Sequence, residues 1–255
     1  MESMFSRTVR IIGDAGAAKL SAASVAVFGI GGVGSYAAEA LIRAGVGRLL
    51  FIDMDTVDVT NLNRQLVADL ETVGRFKAEV MRERALRVNP ECRAEAFVRR
   101  YLPEDWDFLP SLGADFVIDA IDDVPAKAAL AEECWKLGIP EAASMGTGNR
   151  LHPEMLEIAD IYRTTICPLA RKFRKELKAR GVPKLSVVYS RELPVKPRGG
   201  GQAPGSVSFV PPAAGMILAG MAVRHLLEGG VCGEVSDRAS GMGDASYRRK
   251  DTSGV

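Results

Sequence analysis

Gly29-Ile-Gly-Gly-Val-Gly34 joins a short apolar run, Ser24-Val-Ala-Val-Phe28, to an alanine-rich stretch, Ser35–Ala44. A strand passing into a helix through so glycine-rich a turn constrains the chain more than any other feature. Glycine lets the backbone approach a phosphate closely, and the helix that follows presents free N–H groups. Arg48-Leu-Leu-Phe-Ile52 reads as a second strand, which completes a strand–turn–helix–strand unit. Apolar residues recur at helical spacing from about Gly74 to Val88 and stop at Asn89-Pro90. Ala94–Val98, Asp115–Ile121 and Glu141–Met145 read as strands, and Pro125–Leu137 as a helix. Such alternation predicts an α/β fold, a Rossmann-like doubly wound and mostly parallel sheet with helices on both faces.

The character changes after Gly146. Met155–Tyr162 and Leu185–Ser190 look like strands flanking a basic helix at Pro168–Arg180. Pro194–Gly205, which contains Arg198-Gly-Gly-Gly201, reads as a flexible loop, and Pro211–Leu227 as an apolar helix. We expect one domain over residues 1–228: a nucleotide-binding half to 150, then a smaller α+β half over 151–228. Gly, Ser and charged residues dominate residues 229–255, which read as a disordered tail.

Composition excludes several classes. At 255 residues and 47% apolar, the chain can bury a substantial core. Its net charge of +1 gives no global steering of a polyanion, so nucleic-acid contact requires a local patch. Cys92, Cys134, Cys167 and Cys232 form no C-x-x-C pair, and His152 and His225 are the only histidines. Zinc and a disulfide-stapled secreted fold are therefore not expected. Met1–Lys19 lacks the pattern of a signal peptide, and the uncharged run Ser206–Val223 carries Pro211-Pro212 and two glycines. A buried helix and a cytoplasmic protein follow, with peripheral membrane contact left open and no obligatory membrane partner.

Asp53 ends the second strand, where a carboxylate would hold ribose hydroxyls, and this suits NAD and ATP equally. Arg64 and Lys77 separate the two. Arg64 offers a planar fork for phosphate oxygens, and Lys77 a compact charge on the first turns of a helix. Hydride transfer needs no such convergence of cations, whereas adenylyl transfer does, because charge builds up on the phosphates. Asp122 and Asp123 close an apolar strand. Asp123 precedes Val124-Pro125 and reads as a helix cap, which leaves Asp122 to hold Mg²⁺ on a triphosphate.

Together, Gly29, Gly31, Gly32, Gly34, Asp53, Asp55, Asn61, Arg64, Gln65, Lys77 and Asp122 make a pattern that resembles the ubiquitin-activating-enzyme-like superfamily. That superfamily includes the bacterial adenylating enzymes of molybdopterin and thiazole synthesis. The resemblance covers about residues 5–150. It implies that the glycine turn and Asp53 hold ATP, that Arg64 and Lys77 grip phosphates, and that Asp122 positions Mg²⁺. It further implies a homodimer whose ATP sites are completed across the interface by Arg10, with Arg7 as the fallback.

Carrier-activating members usually hold two zinc-binding cysteine pairs, which this chain lacks. Its second half, in Ala143–Gly148, Pro168–Arg171 and Pro204–Gly215, is instead similar to the tRNA threonylcarbamoyladenosine dehydratases. Those enzymes cyclise a threonylcarbamoyl group beside the anticodon through an acyl-adenylate. The basic helix supports this independently. Leu169, Phe173 and Leu177 share one side, while Arg171, Lys172, Arg174, Lys175 and Lys178 share the other, with Glu176 alone opposing them. Such a stripe suits the RNA backbone. Cys167, just before it, is a candidate acyl acceptor that cyclisation does not require. The rival readings are adenylation of a ubiquitin-like sulfur carrier, a non-catalytic nucleotide-binding partner protein, and a nicotinamide dehydrogenase. Neither a monovalent alkali cation nor a docking sulfur-trafficking protein is fixed by the sequence.

Overall fold

The computed structural model describes residues 3–105, 107–196 and 204–229. Arg198–Gly201, Cys232 and all but the first residue of the expected tail lie outside them. The elements run α1 (Ser6–Ala22), β1 (Ser24–Phe28), α2 (Gly34–Ala44), β2 (Arg48–Ile52), α3 (Lys77–Val88), β3 (Arg93–Phe97), α4 (Phe108–Leu112), β4 (Phe116–Asp119), α5 (Val124–Leu137), β5 (Glu141–Ser144), β6 (Leu156–Asp160), α6 (Pro168–Ala179), β7 (Ser186–Ser190) and α7 (Val210–Glu228).

The strands form one seven-stranded sheet in the order β3-β2-β1-β4-β5-β7-β6. Every pairing is parallel except β6 with β7. The second half therefore extends the first half's sheet: β7 runs parallel to β5, and β6 adds an antiparallel edge. The chain winds outward from β1 to β3 and then returns to place β4 on the other side of β1. Ligands in such sheets bind beyond the carboxyl ends of the strands where the winding reverses.

β1 is buried throughout because both faces are covered. Val25 and Val27 meet α2, α3 and α7 on one face, and Ala26 and Phe28 meet α4 and α5 on the other. A third cluster joins β5 and β7 to α5 and α6 through Phe173, Leu177 and Val187.

α7 is long and apolar enough to cross a membrane by length and composition, yet it packs chiefly along α2. Gly215 permits that approach, since a Cβ there would lie 2.3 Å from the Val33 carbonyl oxygen. The apolar run thus serves as a core helix.

The short helix α4 was not expected from the sequence, and two further features depart from that reading. α3 begins at Lys77 rather than near Gly74, because Gly74 is left-handed (φ 86°) and Phe76 pairs with Thr56 in an isolated bridge. α1 was not foreseen; it is kinked at Gly13, whose φ of 71° interrupts the helical spacing.

Candidate active site

At the reversal point lies a cleft of about 1040 Å³, walled on one side by the glycine turn and β2 and on the other by the loops after β4 and β5. The turn's shape is dictated by two glycines. Gly29 takes a φ of 86°, and a Cβ there would sit 2.7 Å from the Ala120 carbonyl oxygen. A Cβ on Gly34 would lie 1.8 Å from the Gly29 carbonyl oxygen, an impossible approach. α2 then starts with no side-chain cap. The Ser35 N–H is taken by the Gly31 carbonyl at 3.1 Å, and the positive end of the helix remains available to an anion.

Asp53 braces this turn. One carboxylate oxygen accepts the Ile30 N–H at 2.6 Å, and the other accepts the Asp55 N–H at 2.8 Å. Burial pushes its carboxyl above the usual range, outweighing those two bonds and the nearby Lys77 charge. A carboxylate has about four lone-pair sites, so acceptor capacity is left for hydroxyls.

Lys77, the first residue of α3, is buried, and its Nζ lies 2.8 Å from Asp55 Oδ2. Arg64 lines the same cleft and donates to the Thr60 carbonyl and to Asn63 Oδ1. Asn61 organises the loop: with Asp58 it closes a reciprocal cap around the short 3-10 turn Val59–Asn61. Gln65 is buried, and its amide nitrogen approaches the turn at Gly31. Asn63 ties the loop to the second half by donating to the Ser206 carbonyl at 3.0 Å.

Asp122 lines the cleft, exposed, while Asp123 caps α5 by accepting the Ala126 N–H. The cap on α5 is thus the one the Pro125 signal suggested. Arg99 and Arg100 also reach the cleft. Sequence reasoning passed over them, although Arg99-Arg100 directly after β3 was the available signal. Arg100 pairs with Asp123 at 3.2 Å, and Arg99 lies over the Phe108 ring.

Gly29, Gly31, Gly32, Asp53, Asp55, Asn61, Arg64, Gln65, Lys77 and Asp122 thus share one cleft, with Gly34 shaping its turn. Arg10 stands apart, exposed on α1 and outside its own chain's cleft.

Residues 5–229 match the ThiF family. The chain belongs to that family. It is 41% identical over 244 residues to the tRNA threonylcarbamoyladenosine dehydratase of Bacillus subtilis (strain 168), covering 89% of this chain and 96% of that one. The crystal structure of the E. coli tRNA threonylcarbamoyladenosine dehydratase in complex with AMP superposes with a TM-score of 0.85 at 38% identity, covering 88% of this chain and 94% of that one. The ATP complex of the same E. coli enzyme gives a TM-score of 0.83 at 36% identity, with the same coverage. ThiF-family membership thus joins a cleft lined by both the glycine turn and the cations Arg64 and Lys77.

Beyond the cleft wall the basic helix is divided. Arg171, Lys172, Lys175 and Lys178 are exposed on α6. Arg174 is not free, since it donates to the Thr164 carbonyl and hydroxyl. Ala170, Phe173 and Leu177 form the buried side, while Leu169 turns to the cleft. Cys167 also lines the cleft but is 3% exposed, packed into the third apolar cluster.

Proposed function

We propose that this chain is an ATP-dependent tRNA threonylcarbamoyladenosine dehydratase. The observation that carries the reading is one cleft holding the glycine turn, Asp53, Arg64, Lys77 and Asp122, in a chain that aligns with such dehydratases along nearly its whole length. The carboxylate of the threonylcarbamoyl group attacks the α-phosphorus of ATP, and pyrophosphate leaves. Intramolecular attack on the activated carbonyl then closes the ring and expels AMP. The oxygen lost from the substrate leaves in AMP, so ATP takes up the water removed.

The chain's own groups bind and orient. Asp53 and the turn hold the nucleoside end, while the α2 N-terminus, Arg64 and Lys77 face the phosphates, where negative charge grows. Proximity drives closure because nucleophile and electrophile share one molecule. Asp122 fits Mg²⁺, since this ion takes one or two carboxylates together with phosphates and water. Bound there, the ion would neutralise phosphate charge. A homodimer would bring Arg10 of one subunit to the other's phosphates, and the exposed cations of α6, whose first residues line the cleft, would hold the tRNA backbone.

The test uses tRNA bearing threonylcarbamoyladenosine whose carboxylate carries ¹⁸O. With ATP, the purified protein should yield nucleoside lighter by one water and AMP carrying the label. Unlabelled AMP, or an unchanged nucleoside, overturns the reading.

A further inference from the structure

Arg150 lies in the loop that leaves β5, and it lines the cleft. The residue is 3% exposed, and its Nε and Nη1 are buried with no hydrogen-bond partner among the described residues. A charged group taken out of water and left unpaired is costly, and folds keep one only where an anion arrives to satisfy it or where the surroundings force it.

The surroundings hold the backbone firmly on both sides. Asn149 takes a left-handed φ of 57°. Its N–H donates to the Gly205 carbonyl at 2.7 Å, and its side-chain oxygen accepts the Gly205 N–H at 2.7 Å. On the other side, Glu192 accepts the N–H groups of Leu151 and His152 with both carboxylate oxygens, at 2.9 to 3.0 Å. That carboxylate is thus spent on the backbone next to Arg150. Strained backbone pinned at both ends marks a side chain that is aimed rather than left to drift.

The direction of entry identifies the anion. β5 lies two places from β1 in the sheet, across β4, whereas Asp53 and Lys77 belong to the β2 side. The phosphates are provided for by the turn, Arg64 and Lys77. The wall that carries Arg150 also includes Leu169 at the start of α6, so it faces the acceptor. A guanidinium edge matches a carboxylate, and can hold one oxygen while the other attacks.

Resting on the function proposed above, we infer that Arg150 is the receptor for the free carboxylate of the acceptor, and so a specificity-determining residue of the adenylation step. Adenylation turns that carboxylate into a mixed anhydride, which removes the charge that Arg150 binds and eases its release for ring closure.

The test compares the full-length wild type with Arg150→Gln and Arg150→Met. The probes are an anticodon stem-loop carrying threonylcarbamoyladenosine and the same stem-loop with the threonyl carboxylate converted to its amide. Loss of a charge-assisted hydrogen bond should weaken binding of the carboxylate stem-loop by about 10- to 100-fold. ATP affinity and binding of the amide stem-loop should not change, and thermal stability should hold or rise because an unpaired charge has been removed. Weaker ATP binding with unaltered stem-loop binding would assign Arg150 to phosphate and overturn the proposal. Equal losses toward both stem-loops, or none, would overturn it too, the first by showing a structural role. A wild type that does not distinguish carboxylate from amide overturns both this inference and the function beneath it. A wild type that does, with variants unaltered, overturns the inference alone.

Discussion

Lys77 Nζ meets Asp55 Oδ2 at 2.8 Å, an ion pair in which the lysine side chain is 7% exposed and the aspartate 60%. The asymmetry matters. Lys77 also donates its backbone N–H to the Asp55 carbonyl at 2.9 Å, so the start of α3 is tied to the exit of β2 and the ammonium is held in place. Asp55, open to water, can give up its partner cheaply.

Removing the ammonium should therefore separate catalysis from stability. Lys77→Met is expected to lower kcat/KM for AMP formation by about 100- to 1000-fold, the usual loss for one preorganised charge on a reacting centre. Stability should change by less than about 1 kcal/mol, since the Asp55 carboxylate left behind is hydrated. Thermal unfolding alongside steady-state kinetics checks both. A fall in melting temperature that parallels the fall in activity would show that Lys77 is only an anchor for α3.

The glycine turn makes a stricter demand. Gly34→Ala puts a Cβ where the Gly29 carbonyl oxygen already lies, 1.8 Å away, so backbone must move. Expression should yield a destabilised protein without measurable ATP binding. Gly31→Ala meets only Gln65 Nε2, at 3.9 Å, and should fold normally. Circular dichroism melts and ATP titrations of the two variants provide the comparison.

Much of this was legible because it is local. Gly29–Gly34 between an apolar run and an alanine-rich one, and Pro125 after Asp123, fix a turn and a cap through neighbours in sequence. Edges are harder, since the β6 and β7 pairing depends on which strand lies beside β5. Burial of charge is harder still. Lys127 reads as an ordinary helix lysine, yet it is fully buried at 2.7 Å from the equally buried Asp119. Arg150 carried no signal at all, because nothing in Gly148-Asn149-Arg150 announces that its side chain turns inward. Arg174 fell on the charged side of the helical projection and is taken up by Thr164, which the chain folds back to place beside it.

Asp53 should leave a signature in the pH dependence of stability. Burial raises its carboxyl above the ordinary range, so the folded state holds the proton more tightly than the unfolded chain. Between the two values the folded state binds more protons, and its stability falls as pH rises through that window. Asp53→Asn removes this contribution. Relative to wild type, the variant should gain stability between about pH 4 and about pH 7 while binding ATP more weakly. Urea unfolding at both values tests the sign. A variant that loses stability relative to wild type as pH rises would mean that hydrogen bonds from Ile30 and Asp55, not burial, govern this carboxyl.

The exposed cations of α6 should reveal themselves through salt. Arg171, Lys172, Lys175 and Lys178 face solvent, and Lys178 lies over the Tyr162 ring. Lys172 and Lys175 can be removed without disturbing packing, because Ala170, Phe173 and Leu177 carry the buried side of the helix. If each meets a phosphate, the double Ala variant should reduce the slope of log Kd against log salt by roughly 1.4 to 1.8, at about 0.7 to 0.9 for each phosphate no longer neutralised. ATP binding and turnover at saturating tRNA should be preserved, since neither residue lines the cleft. Arg174→Ala should act differently. It removes the donor that ties α6 to Thr164 and so lowers thermal stability, with little change in the salt slope. Equal slopes for wild type and the double variant would place the tRNA on another face.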